Sequence, residues 1–186
     1  MAAKPVIIVE YNDNWPSRFD ELALILKEYL GSLIVDIEHV GSTSVPGLAA
    51  KPIIDLDIII SSMSILPKLI NKLNELGYYH EGNLGIENRE AFGRIDERVP
   101  YNEDNQPQPE HHLYVCNQDS EALKNHLLFR DILRQHSHLI DEYAELKKKL
   151  ASMYKDNRKA YTEGKTHFVI KVMKEYKSEN QKGSRS

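Results

Sequence analysis

The run IIDLDIII, at residues 53–60, carries two aspartates at alternate positions of an otherwise apolar stretch. Alternate side chains of a β-strand share a face, so Asp55 and Asp57 are expected to point the same way. Two neighbouring carboxylates repel each other unless something pairs with them. The run therefore predicts a strand with a charged site on one face and a core on the other. The residues expected on the core face are Ile54, Leu56, Ile58 and Ile60.

The remaining sequence predicts an α+β fold. Apolar residues at helical spacing, with Pro16 and Gly31 near the two ends, indicate a first helix. The predicted strands lie at residues 6–10, 33–40, 53–60 and 111–116, and a short hairpin includes Ala91 to Arg94. The predicted helices lie at residues 15–31, 64–77, 120–136, 137–154 and 166–176. A mixed β-sheet with helices on one side and a helical C-terminal half would pack these elements.

Length and composition fit one globular domain. The chain has 186 residues, of which 41% are hydrophobic and 28% are charged, and such a chain is long enough to bury a core. We expect a single domain over residues 1–177, with a sheet-containing core to about residue 118 and a helical part from about 119 to 177. Residues 178–186 are polar and are expected to form a disordered tail.

Charge and cysteine content restrict the partners and the compartment. The net charge of −4 argues against a broad nucleic-acid surface. The single cysteine, Cys116, cannot form an internal disulfide, which fits a reducing compartment. The N-terminal sequence is unlike a signal peptide, and no apolar run approaches the ~20 residues of a membrane span. A cytoplasmic protein without a membrane partner is expected, and the oligomeric state is not predicted.

The segment before the aspartate strand suggests a ligand for the carboxylates. Gly41 has no side chain, so its backbone can approach a ligand closely, and the hydroxyls and amides of Ser42, Thr43 and Ser44 suit phosphate oxygens. A divalent cation would remove the carboxylate repulsion, and Mg²⁺ accepts carboxylates together with water and phosphate oxygens. The pattern predicts a site for Mg²⁺ or Mn²⁺ and a phosphate. The alternative is a solvated sheet face beside an ordinary loop.

The same pattern carries a family resemblance. A hydrophobic residue, Gly-Ser, a gap and Asp-x-Asp in a hydrophobic strand resemble the signature of the nucleotidyltransferase (polymerase-beta-like) superfamily. The longer wording EHVGSTSVPGLAAKPIIDLDI resembles the GrpB-like (UPF0157) family, and so do YNDNWPSRFDEL, HHLYVC, FRDILRQH and YTEGKTHFVIKVM. The resemblance spans nearly the whole chain and implies a nucleotidyltransferase-like fold.

The superfamily resemblance implies metal-dependent transfer of a nucleoside monophosphate from a nucleoside triphosphate to an unknown acceptor. In that interpretation Asp55 and Asp57 hold the metal, and Gly41 and Ser42 position the triphosphate. The first alternative is a non-catalytic protein of the same fold that binds a nucleotide or another phosphorylated small molecule. A second alternative is a metal-dependent hydrolase that uses the two aspartates with His112.

The strand at 111–116 bears on whether the site is catalytic. Superfamily enzymes usually add a third carboxylate from a nearby strand, and alternation makes Glu110 and His112 the candidates to face the aspartates. Of these two, His112 lies within the strand, and a histidine there suits a metal ligand, a general base or a hydrogen-bond donor to phosphate. The other interpretation is a histidine bonded to a neighbour at a strand end. The absence of an obvious third acid favours the binding alternative.

Several cations are candidates for phosphate binding, namely Lys51, Arg89 and Arg94, although each has the alternative of a solvated surface cation. His39 is expected to hold the Gly-Ser loop by a hydrogen bond. A group of three basic residues lies at four-residue spacing on one helical face. It is either a phosphate-facing patch or a solvated helix face, and the solvated face is the favoured interpretation. This group comprises His126, Arg130 and Arg134.

Overall fold

The computed structural model describes the backbone of residues 5–183 and the side chains of residues 5–176. A five-stranded mixed sheet lies at its centre, in the order β1-β2-β5-β4-β3. The central pair β2·β5 is parallel, and the pairs β1·β2, β4·β5 and β3·β4 are antiparallel. The strands are β1 (Asp36–Val40), β2 (Ile54–Ile60), β3 (Tyr78–Gly82), β4 (Arg89–Arg94) and β5 (His111–Asn117).

Within residues 5–183, six α-helices accompany the sheet, two before β5 and four after it. They are α1 (Trp15–Leu30), α2 (Leu66–Glu75), α3 (Glu121–Gln135), α4 (Ser137–Met153), α5 (Arg158–Gly164) and α6 (Thr166–Gly183). The predicted α+β fold, with a mixed sheet and a helical C-terminal half, is confirmed. None of the helices within residues 5–183 has the length and apolar character needed to cross a membrane.

Some predicted boundaries differ from the structure. The predicted strand at 6–10 contributes only an isolated bridge between Val9 and Ala50, and β1 begins three residues later than predicted because residues 31–33 form a 3₁₀ turn. The short helix α5 is not in the prediction, since it is only seven residues long. Helix α6 runs to Gly183, where a disordered tail over 178–186 is predicted; residues 184–186 lie outside the described residues.

Helices α1 and α2 cover one face of the sheet and form the main core. The apolar set of β2 is fully buried there, as the alternation predicts, with Leu56, Ile58 and Ile60 each at 0% exposure. Leu22 and Leu26 of α1 join the same cluster. Burial of each such side chain contributes about 1.5–3 kcal/mol, so this face supplies much of the stability of the sheet.

The helical half has its own apolar cluster on the other side of the sheet, and residues 45–49 between β1 and β2 are inserted into it. Val45 and Leu48 are fully buried against residues of α3, α4 and α6. Within the cluster, the rings of Tyr143 and Phe168 stack with their centroids 4.8 Å apart. The inserted loop therefore joins the sheet to the helical half.

A lysine is buried at this junction. Lys147 of α4 is 2% exposed, its Nζ donates a hydrogen bond to the carbonyl oxygen of Ala49, and it lies 4.7 Å from the centroid of the Tyr143 ring. Burial lowers the pKa of Lys147 to about 7, and the positive charges of Lys165 and Lys51 add to the effect. The folded protein therefore loses this proton far more readily than an unfolded chain does.

The two faces of α1 supply a matched test of the main core. Leu22 is fully buried and Leu24 is 58% exposed, although both are leucines in the same helix. We expect Leu22→Ala to lower the free energy of unfolding by about 2–5 kcal/mol, because it leaves a cavity. We expect Leu24→Ala to change it by no more than about 0.5 kcal/mol. Urea unfolding followed by circular dichroism would measure both, and equal losses would contradict this assignment of the core.

The buried lysine predicts a pH dependence of stability. Lys147 has a pKa of about 7 when folded, against an ordinary value of 10.5, so the unfolded chain binds the extra proton above pH 7. The free energy of unfolding of the native protein, relative to Lys147→Met, should therefore rise from about pH 7 to pH 9, by at most about 1.4 kcal/mol per pH unit.

Exposed Lys149 provides the control, since Lys149→Met should follow the native protein at every pH. Urea unfolding at several pH values would measure the differences. A constant difference between the native protein and Lys147→Met would show that the lysine keeps its ordinary pKa in the fold.

Candidate functional site

Each aspartate of β2 is bonded to a histidine. The His112 Nδ1 lies 2.8 Å from Asp55 Oδ1, and the His126 Nδ1 lies 2.6 Å from Asp57 Oδ2. Ionised carboxylates only accept hydrogen bonds, so each Nδ1 acts as a donor. The two aspartates share a face as predicted, and that face is directed toward the helical half of the chain.

Pairing between the strands brings His112 to Asp55. In the parallel ladder of β2 and β5 these two residues are direct partners, which confirms that His112 faces the aspartates. Its other ring nitrogen, Nε2, lies 2.9 Å from Nη2 of Arg158. Because arginine can only donate, Nε2 accepts, and His112 is held as the neutral tautomer with its proton on Nδ1.

The carboxylates have the chemistry to take part in a metal site but do not complete one. Asp57 is fully buried, and its Oδ1 has no hydrogen-bond partner among the described residues. A buried carboxylate oxygen without a partner is costly, and a cation is the ligand that suits it. Within residues 5–183, no group of three or more Asp, Glu, His and Cys side chains is arranged to hold a metal ion. Asp55 and Asp57 would therefore need water and substrate oxygens as further ligands, as Mg²⁺ commonly does.

The third-acid candidate Glu110 lies just before β5. Its side chain is exposed, and its carbonyl oxygen accepts a hydrogen bond from the Ile54 amide at 2.9 Å. The described part of the chain thus brings a histidine, and not a third carboxylate, to the strand position opposite Asp55.

The Gly-Ser loop lies directly against Asp55. Gly41 has φ +71°, and a Cβ placed on it would overlap the Asp55 carboxylate. Glycine is required there for two reasons, the left-handed backbone and the close approach of a side chain. Gly41 therefore packs closely against a carboxylate of the protein itself, whereas the sequence predicts only a close approach to a ligand.

Hydrogen bonds within the loop use two of its three hydroxyls. The Ser44 hydroxyl donates to the Gly41 carbonyl oxygen at 2.6 Å, and His39 Nε2 lies 3.0 Å from Thr43 Oγ1, as predicted for His39. Thr43 and Ser44 are buried, so both predicted phosphate ligands have a structural role.

Two arginines of helix α3 form hydrogen bonds to the Gly-Ser loop and to β1, and the sequence does not predict these contacts. Arg130 Nη1 donates to Glu38 Oε2 at 2.6 Å and to the His39 carbonyl oxygen at 3.0 Å. Arg134 donates through Nε and Nη2 to the Ser44 carbonyl oxygen at 3.0 and 2.7 Å. With His126 on Asp57, the stripe predicted to be a solvated helix face instead contacts three parts of the site, and that interpretation is wrong. The four-residue spacing of these side chains was the sequence signal that they share one face of the helix.

A small cavity of about 250 Å³ lies beside Asp55 and His112. Lys51, Lys147, Arg158 and Lys165 line it, and we call it the cationic chamber. Burial lowers the pKa of Lys51, and it lowers the pKa of Lys165 to about 8. Lys51, a predicted phosphate ligand, thus lies close to the aspartates, whereas Lys147 and Arg158 were not predicted.

A larger cavity of about 590 Å³ adjoins it. We call it the apolar chamber because its helical walls are formed by side chains such as Phe129, Leu133, Tyr143, Val169 and Met173. Ser42, Asp55, Tyr114 and Lys165 border both chambers.

The two predicted arginines of β4 lie apart. Arg89 is a cross-strand partner of Cys116, lines the apolar chamber and stacks over the Tyr114 ring at 4.5 Å. Arg94 has the opposite parity in the strand, so it lies on the core face, where its Nη1 donates to the Pro109 carbonyl oxygen at 3.3 Å. The structure therefore does not bring Arg94 to the aspartates, because only residues separated by an even number of positions in a strand share a face.

Comparison with known proteins agrees with these observations. Residues 5–175 match the family described as GrpB protein. The UPF0157 protein YqkA of Bacillus subtilis is 36% identical over 166 residues, which cover 89% of this chain and 46% of YqkA, so the chain spans about half the length of that relative.

Two solved structures show the fold. A crystal structure of conserved protein GrpB from Enterococcus faecalis has a TM-score of 0.77 and 32% identity, and the match covers 91% of this chain and 96% of that chain. A MgGTP-bound structure of the Cid1 poly(U) polymerase has a TM-score of 0.53 and 17% identity over 78% of this chain and 44% of that chain. The fold is thus nucleotidyltransferase-like, as the resemblance predicts, and the chain belongs to the GrpB family.

Proposed function

We propose that this protein is a metal-dependent nucleotidyltransferase that moves a nucleoside monophosphate from a nucleoside triphosphate to an acceptor hydroxyl. The observation that carries the proposal is the buried Oδ1 of Asp57, which has no hydrogen-bond partner in the described part of the chain. It lies on the same strand face as Asp55, against which Gly41 packs. An anionic oxygen without a partner at such a position suits a cation.

Asp55 and Asp57 would hold Mg²⁺ or Mn²⁺, each with the carboxylate oxygen that its histidine leaves available. When bound, such a cation neutralises charge on the transferring phosphate and activates the attacking oxygen. His112 and His126 would orient the two carboxylates through the hydrogen bonds at 2.8 and 2.6 Å. Bonded partners of this kind commonly fix the geometry of metal ligands.

The cationic chamber supports binding of the triphosphate. Lys51, Lys147, Arg158 and Lys165 surround a space next to Asp55, and their mutual repulsion is among the causes that lower the pKa of Lys147 and Lys165. A bound polyphosphate would remove that repulsion and raise both pKa values. The amides of Gly41 and Ser42 would add donors to the phosphate oxygens.

The transfer itself needs one bond to form and one to break. The acceptor hydroxyl oxygen bonds to the α-phosphorus, and the bond from that phosphorus to the oxygen bridging toward the β-phosphate breaks. The bridging oxygen keeps the electron pair and leaves as part of pyrophosphate, while the hydroxyl proton passes to water. The chain's contribution is to hold donor and acceptor in line.

A binding protein of the same fold is the second candidate. Its support is the histidine opposite Asp55, where a third carboxylate is missing among the described residues. In this candidate, the cationic chamber would hold a nucleotide or another phosphorylated small molecule without transfer. The cytoplasmic location inferred from the sequence stays a prediction in both cases.

Asp57→Asn tests the metal site and the transfer. It keeps the volume of the side chain but removes the charge, so Mn²⁺ binding in the presence of nucleoside triphosphate should weaken by about 100-fold or more, because the cation is worth several kcal/mol to such a site. Transfer of radiolabel from α-labelled triphosphates should fall by at least as much. Calorimetry and thin-layer chromatography would measure these two effects.

Asp141→Asn, at an exposed position of α4, is the control and should leave both quantities unchanged. If Asp57→Asn keeps its metal and nucleotide binding, the site is assigned wrongly. Tight binding by the native protein, without transfer from any of the four triphosphates, would instead support the binding candidate.

Gly41 and Gly47 form a matched pair for testing the loop. Both have positive φ, +71° and +80°, but only a side chain on Gly41 would overlap Asp55, since the space around Gly47 is open to 4 Å. Alanine at either position costs roughly 1 kcal/mol of backbone strain. Only Gly41→Ala should also weaken binding or transfer, by about 100-fold, because it displaces a carboxylate. Equal effects of the two variants on activity, with equal thermal stability, would contradict the role given to this contact.

A further inference from the structure

The apolar chamber has no role in the chemistry proposed above. Its volume of about 590 Å³ is within the range that encloses one organic molecule. Side chains of α3, α4 and α6 form its walls, among them Phe129, Tyr143 and Val169. The aspartate face of the sheet borders it through Asp55. A molecule in this chamber would lie beside the proposed transferring phosphate.

Two arginines line this largely apolar space together with Lys165 and Lys174. Arg130 is paired with Glu38 and Asp131, whereas no ion pair with a described residue is formed by Arg89. Its Nε is buried, and no described residue accepts a hydrogen bond from it. Tyr114 lies against the guanidinium at 4.5 Å but offers a ring face and not an anion. Leaving a buried charged donor without an acceptor costs more than leaving a neutral one.

The carboxylates on the same face do not serve Arg89. Asp55 and Asp57 are bonded to His112 and His126 at 2.8 and 2.6 Å, and no ion pair joins Arg89 to an acidic residue of the described chain. In the proposed function the remaining carboxylate oxygens would hold the cation. No described residue therefore supplies an acceptor to the buried Nε of Arg89, and an anionic ligand would supply one.

We propose that the apolar chamber is the acceptor site, and that the acceptor is a small molecule with an apolar body and one anionic group, a carboxylate or a phosphate. The apolar body packs against α3, α4 and α6, and the anionic group pairs with Arg89. This assignment rests on the proposed nucleotidyl transfer, because it names the class of molecule whose hydroxyl receives the nucleotide.

Two other occupants fit the chamber less well. The nucleoside part of the donor is neutral and would leave Arg89 unpaired. A polynucleotide acceptor requires a row of cations that follows its phosphates, whereas Arg130, one of the four Arg and Lys residues that line the chamber, is already paired with Glu38 and Asp131. A small amphipathic anion satisfies both the apolar walls and the guanidinium of Arg89.

Fluorescence titration with 8-anilinonaphthalene-1-sulfonate, an apolar anion, tests the chamber directly. We expect one bound probe per chain, displaced by octanoate or octyl phosphate but about tenfold less well by 1-octanol, because a charge-assisted hydrogen bond is lost. Arg89→Met should weaken probe and octanoate binding by about tenfold or more and leave 1-octanol binding unchanged. Val169→Trp, which fills the chamber, should abolish binding of all of them.

Arg18→Met, which removes an exposed cation of α1, is the matched control and should bind like the native protein. Thermal unfolding checks that Arg89→Met is folded, and Arg89→Lys, which keeps a charge, should recover part of the affinity. Equal competition by octanoate and 1-octanol, no effect of Arg89→Met in a folded protein, or displacement of the probe by oligo(U) or by UTP would each overturn the proposal.

The same titration on Asp57→Asn separates this proposal from the proposed function. Probe binding there should stay within about twofold of the native value, since Asp57 contributes to the metal and not to the anion. If no transfer is ever detected but Arg89-dependent binding is present, nucleotidyl transfer fails and the chamber stands as a binding site. If transfer occurs but the probe does not bind the native protein, the acceptor assignment fails alone.

Discussion

Most of the site follows from the burial of one carboxylate. Asp57 is fully buried, and a charge in that position needs partners. His126 supplies one, and it can do so only because α3 lies across the aspartate face of the sheet. The same placement brings Arg130 to the end of β1 and Arg134 to the Gly-Ser loop. A single helix thus holds the carboxylate and the loop in one relative position.

The site is divided by charge as well as by shape. On one side of Asp55 and Lys165 the lining is strongly cationic. On the other side it is mostly apolar and includes two guanidiniums, of which Arg130 is paired with Glu38 and Arg89 has no described carboxylate as a partner. Polyphosphates and amphipathic organic anions differ in the number of charges they carry per unit of apolar surface. In the proposed function the two chambers would therefore suit two different substrates, as a transfer reaction between unlike molecules requires.

Local sequence patterns predict some of these contacts, and others depend on residues that are distant in the chain. The shared face of Asp55 and Asp57 follows from strand alternation alone, so the sequence was sufficient for it. Arg130 and Arg134 bind carbonyl oxygens 91 and 90 residues away in the chain, and helical spacing does not reveal such distant partners. Lys147 lies in a run of three lysines that is typical of an exposed face, yet a loop from the sheet half covers it. These are consequences of tertiary packing.

The loop at residues 45–49 has a consequence for how the chain can be divided. Its apolar residues, Val45 and Leu48, belong to the cluster of the helical half although they lie between two strands of the sheet. A fragment ending near residue 118 would expose both to water, and an isolated helical half would lack part of its own core. The two halves of the chain are therefore expected to unfold together. Grafting either half onto another protein would require residues 45–49 to be redesigned with it.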